Sequence, residues 1–110
     1  MVTSALQPES YALITGETGR TIHRHHGLTI GADEWRALQA ASHGDGKYVV
    51  TCDERAAASL LDWFERGFEF ARSNQELFGE PSTVLHSCRR ASAAIRAALA
   101  AATPPGPTIR

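Results

Sequence analysis

Between Thr51 and Arg72 the chain reads as a helix with an unusually broad apolar face. Ala57, Leu60, Leu61, Phe64, Phe68 and Ala71 repeat at helical spacing. Arg55, Asp62, Glu65, Arg66, Glu69 and Arg72 fall on the opposite side. Ala56, Trp63 and Phe70 then widen the apolar arc to roughly half the circumference. At the start, Thr51 and Glu54 have the spacing of a capping box, with Thr51 as the N-cap. A helix this apolar needs cover on two sides. A sheet and a second helix of the same chain can supply it, or another protein can supply part of it.

The rest of the chain provides the material for an internal cover. Residues 1–10 are polar, contain Pro8 and read as a loose lead-in. Residues 11–15 form a short β-prone run, and Gly16 and Gly19 after them suit a hairpin turn. Residues 20–30 would return as the second strand, with Gly27 at a bulge or bend. Gly31, Ala32, Asp33 and Glu34 open a helix, because acids in the first turn favour the positive end of its dipole. Trp35 and Leu38 give that helix an apolar side, and residues 43–46 stop it. Tyr48, Val49 and Val50 mark a third strand over residues 47–52. After a loop at residues 73–81, a last helix spans about residues 83–102. Its stripe is Val84, Cys88, Ala91, Ile95, Leu99 and Ala102, so small side chains let it approach a partner closely. Pro104, Pro105 and Pro107 end it.

The expected order is therefore β-β-α-β-α-α. The expected fold is α+β, with a small, mainly antiparallel three-stranded sheet, helices on one face and a C-terminal antiparallel helix hairpin. At 110 residues, 43 % hydrophobic and 21 % charged, the chain suits one globular domain over residues 1–103, followed by a flexible Pro-rich tail at 104–110. Residues 1–10 lack the basic and apolar regions of a secretion signal. The Ala-rich stretch at 91–102 is too short and too weakly apolar to span a bilayer. A cytoplasmic location is expected, with Cys52 and Cys88 as reduced thiols.

Charge is unevenly distributed. Residues 1–80 carry all 12 acids and 7 of the 11 Lys/Arg, a net −5, whereas residues 81–110 carry four arginines and no acid. Arg89, Arg90 and Arg96 on the last helix are the candidates for a nucleic-acid surface. No aromatic residue stands among them to stack on bases, so pairing with Glu65 or Glu69 is the favoured reading and nucleic acid an unfavoured partner.

Three histidines, His23, His25 and His26, fall within four residues. On a strand, His23 and His25 would point the same way and could share zinc or another transition metal. Further ligands would have to come from His43, His86, Cys52 or Cys88, and no spacing matches a known ligand pattern. The run from Gly16 to Thr21 fails as a phosphate loop, with Ile14 where a glycine is needed and Arg20 in place of lysine. Cys52 precedes a helix N-terminus, a place that can favour a thiolate, but Asp53 and Glu54 oppose that charge. His86 and Cys88 lie on different sides of their helix and cannot pair. Nothing here assembles a reaction, and the expectation leans away from an enzyme.

What remains is the broad arc. A non-catalytic interaction or regulatory module is expected, either a homodimer or a binder of one protein partner. Trp63, Phe70 and Phe78 are the candidate anchors, because aromatic residues at the edge of an apolar face are common interface anchors. A metal-binding domain built on the histidines is the alternative, and a nucleic-acid binder the further one.

Overall fold

The computed structural model describes residues 1–15, 30–78 and 83–102; the side chains of residues 74–78 lie outside the described set. Within it the order is β1 (Val2–Leu6), α1 (Pro8–Thr15), α2 (Ala32–Gln39), β2 (Ser42–Gly44), β3 (Lys47–Cys52), α3 (Glu54–Phe78) and α4 (Thr83–Ala102). The fold is α+β, as the pattern predicts. Its three strands are antiparallel in the order β1-β3-β2.

Two of the strands are not those expected. Residues 2–6 form β1 instead of a loose lead-in, paired with β3 from Val2↔Cys52 to Leu6↔Tyr48. Val2, Ser4 and Leu6 point inward, and the residues between them are exposed. Residues 11–15, expected as a strand, belong to α1. Pro8 occupies the first helical position, where its missing N–H costs nothing, and Glu9 follows in the first turn. Tertiary contacts then override the β-propensity of this run. The Tyr11 hydroxyl donates to the Leu38 carbonyl at 2.6 Å, and its ring stacks on Tyr48 at 3.9 Å. The buried Ser10 hydroxyl donates to the Ser87 carbonyl at 2.7 Å. The expected hairpin turn and returning strand fall at residues 16–29, outside the described residues; Ile30, at its expected end, is not in a strand and packs against the core.

The hairpin that does form joins β2 to β3. Asp45 (φ 53°) and Gly46 (φ 73°) are its two loop residues, between Gly44 and Lys47 in the register. Positive φ at both is the two-residue turn whose twist matches that of the flanking strands, and Asp-Gly is a preferred pair for it. Residues 43–46, expected only to stop a helix, therefore build a strand and a turn.

α3 begins two residues later than the capping box implied. Thr51 belongs to β3, and its hydroxyl lies 3.1 Å from that of Thr3 across the strands. Asp53 is the cap: its carboxylate accepts from the Ala56 N–H at 2.7 Å, and its carbonyl from the Ala57 N–H at 3.0 Å. α3 also runs on to Phe78, through much of the expected loop. α4 returns antiparallel beside it. At Gly67 the two helices run close together, where a Cβ would make an ordinary contact with Cys88 Sγ at 3.4 Å. Phe64, Ile95, Val2, Val50 and Leu38, all fully buried, tie the helix pair, the sheet and α2 into one core.

Candidate functional site

The broad arc of α3 is covered by its own chain. Trp63 is 3 % exposed and meets the Phe64 ring edge-on at 5.3 Å. It is a core residue in this fold, not an exposed anchor. Its indole N–H is buried and has no acceptor among the described residues. Phe70 is half-buried and packs against the same core. The side chain of Phe78 lies outside the described set. Met1 is the one large hydrophobic residue exposed among the described residues.

His23, His25 and His26 all fall outside the described residues. His43 is exposed on β2 beside the Tyr48 ring at 4.5 Å, and His86 is exposed on α4. Among the described residues no group of three or more His, Cys, Asp or Glu side chains is placed to hold a metal ion. Both cysteines are buried. Burial pushes the Cys52 thiol up, and the nearby Asp53 and Glu34 push it the same way. Burial alone pushes Cys88 up to about 12. Neither thiol is set up as a nucleophile.

The three arginines divide. Arg96 forms an ion pair with Glu65 across the helix hairpin, as expected. The Arg89 guanidinium lies over the Phe68 ring, 5.2 Å from its centre. Glu69, the other expected partner, pairs instead with Arg72 on its own helix at 2.7 Å. Arg90 is exposed. Between the helices Glu65, Phe68, Glu69, Arg89 and Ser92 line a groove of about 300 Å³. A second cavity of about 500 Å³ lies where α2 and α3 begin and includes Asp33, Glu34, Asp53 and Arg55. Two of its acids already have work: Asp33 pairs with Arg36 at 3.0 Å, and Asp53 caps α3.

The sheet presents the region that the sequence reading missed. Helices pack on the face carrying Val2, Leu6, Val50 and Cys52. The opposite face shows Thr3, Ala5, Ser42, Val49 and Thr51, small or β-branched, with the exposed Lys47 at the start of β3. β1 is an edge strand, hydrogen-bonded only to β3 among the described residues. It has no charge, proline or bulge over its five residues, and its register with β3 is unbroken. Those are the devices that ordinarily blunt an edge. The signal was present in the sequence: Val2, Ser4 and Leu6 alternate with Thr3 and Ala5, and the first charge after the amino terminus is Glu9.

No helix among the described residues is long and apolar enough to cross a membrane. No family model, no curated protein and no solved structure matches this chain.

Proposed function

We propose that this chain is a small, non-catalytic interaction module that pairs with a second copy of itself through β1. The observation that carries the reading is the edge of β1, which pairs only with β3 among the described residues and holds no charge, proline or bulge of its own. An edge strand holds a row of main-chain N–H and C=O groups outward, and an identical strand related by a two-fold axis satisfies them reciprocally. With the axis at Ser4, Thr3 lies opposite Ala5 of the partner subunit, and the two sheets join into one of six strands. Small side chains at Thr3 and Ala5 allow that approach without loss of the buried face.

The test is the mass in solution. Native mass spectrometry and sedimentation of the untagged chain are expected to give twice 11.9 kDa. The double variant Thr3→Lys/Ala5→Lys places like charges directly opposite each other across the two-fold, which disfavours pairing. Both positions are exposed, so the variant keeps its far-UV circular dichroism and becomes a monomer. A wild-type chain that stays monomeric up to its solubility limit overturns the reading, as does a dimer that the double variant leaves intact.

A further inference from the structure

α4 carries charge in a way no other described element does. Its exposed residues are Thr83, the basic residues His86, Arg89, Arg90 and Arg96, and alanine. The helix has no acid, and none follows it in the sequence. On α3, Arg66 pairs with Asp62 at 2.9 Å and Arg72 with Glu69 at 2.7 Å, while Arg55 in its first turn has no ion pair among the described residues. Arg96 is matched by Glu65, but Arg89 and Arg90 have no carboxylate partner among the described residues. His86 stands one turn before Arg89 (i+3) and Arg90 (i+4) and neighbours both, while the two consecutive arginines project about 100° apart. Arg89 and Arg90 are like charges side by side, and an opposite charge brought from outside relieves them.

The groove beside this face narrows the kind of partner. Arg89 lies on its rim with its guanidinium over the Phe68 ring, and Ser92 stands one turn further along. The opposite wall carries Glu65 and Glu69. A polyphosphate chain laid along Arg89 and Arg90 would meet those carboxylates. A protein segment can place acids over α4 and an apolar side chain over Phe68, with nothing anionic against the α3 wall. Ala93 and Ala97, exposed next along α4, let a second backbone come close.

We propose that the His86–Arg89–Arg90 face of α4, with the Phe68 groove beside it, docks an acidic amphipathic helix of another protein. This surface is separate from β1, so it does not depend on self-association. The probe is a synthetic helical peptide with glutamates at i and i+4 along one face and leucines along the adjoining row. It is titrated against the full chain by fluorescence anisotropy at low and high salt.

Saturable binding that weakens with salt is expected, falling about ten-fold or more in Arg89→Glu/Arg90→Glu. A peptide with lysine in place of each glutamate should bind that variant better than it binds the wild type. Both substitutions are exposed, and circular dichroism with native mass establishes that fold and assembly are unchanged. Equal binding of a peptide with glutamine in place of glutamate overturns the proposal. So does an affinity unmoved by the arginine reversals. Tighter binding of duplex DNA than of the acidic peptide, with the same arginine dependence, overturns it too and assigns the face to phosphate.

Discussion

At Asp53 the chain passes from strand to helix within one residue, and the side chain that faces the first free N–H groups does the capping. Sequence spacing favours Thr51, because a threonine followed three residues later by glutamate is a strong local pattern. Residue geometry favours Asp53, because Thr51 is still paired with Thr3 in the sheet. The carboxylate also sits at the positive end of the α3 dipole, which adds to the hydrogen bond. Asp53→Ala is therefore expected to cost about 1 kcal/mol of stability. Thr51→Ala, which loses an exposed hydroxyl contact, should stay within roughly 0.5 kcal/mol of the wild type. Urea denaturation of the two variants compares them directly, and the opposite ranking would return the cap to Thr51. Trp63 makes a related point. An apolar arc read from sequence reports how much surface must be covered, but not whether the cover comes from the same chain. Here α4 and α2 pack against α3, and the ring is buried.

At the scale of elements, legibility followed the length and regularity of the pattern. β3 and α4 lie where the pattern places them, and α3 departs only at its ends, because a sustained apolar period leaves few alternatives. The short N-terminal elements were misread for a physical reason. Tyr11, Ile14 and Thr15 favour a strand locally, and only contacts distant in sequence, with Tyr48, Leu38 and Ser87, decide for α1. β1 was legible in principle from its alternation. Its polar inward residue, Ser4, weakens the hydrophobic signal by which such alternation is usually noticed. The Asp45-Gly46 turn was visible too, but it competes with a reading of the same glycines as a helix stop. The candidate site was legible only in part. The unmatched arginines of α4 could be counted from sequence, whereas the stacking of Arg89 on Phe68 needs both helices in place. Gly67 tests how the two long elements meet. Glycine inside a helix costs up to about 1 kcal/mol against alanine. A Cβ here would make an ordinary contact with Cys88 Sγ at 3.4 Å. Gly67→Ala is thus expected to stabilise the chain by roughly 0.5–1 kcal/mol. Gly67→Val adds methyl groups where α4 already touches, and should destabilise by about 1–3 kcal/mol. If both variants lose stability in urea titrations, the helix pair has no room even for one carbon.

For the whole molecule, the two thiols connect the core to alkaline pH. Cys88 is fully buried between the long helices, and Cys52 lies where β3 enters the core. In the fold, burial raises the Cys88 thiol from 9.0 to about 12, while the unfolded chain leaves it at its ordinary value. Above pH 9 the unfolded chain therefore releases a proton that the folded chain keeps. The contribution of this thiol to stability is full below pH 9 and is lost as pH rises toward 12. Within that window the loss approaches roughly 1.4 kcal/mol per pH unit. Cys52 and Tyr11 are raised as well and add losses of the same sign. Cys88→Ala separates the thiol from the other groups that titrate at alkaline pH. The variant starts from lower stability because it leaves a small space in the core. Its denaturant midpoint should then fall more slowly than that of the wild type between pH 9 and 11, so that the two curves converge. Parallel curves would mean that Cys88 ionises alike in both states, and so that α3 and α4 do not close over it as tightly as the fold requires.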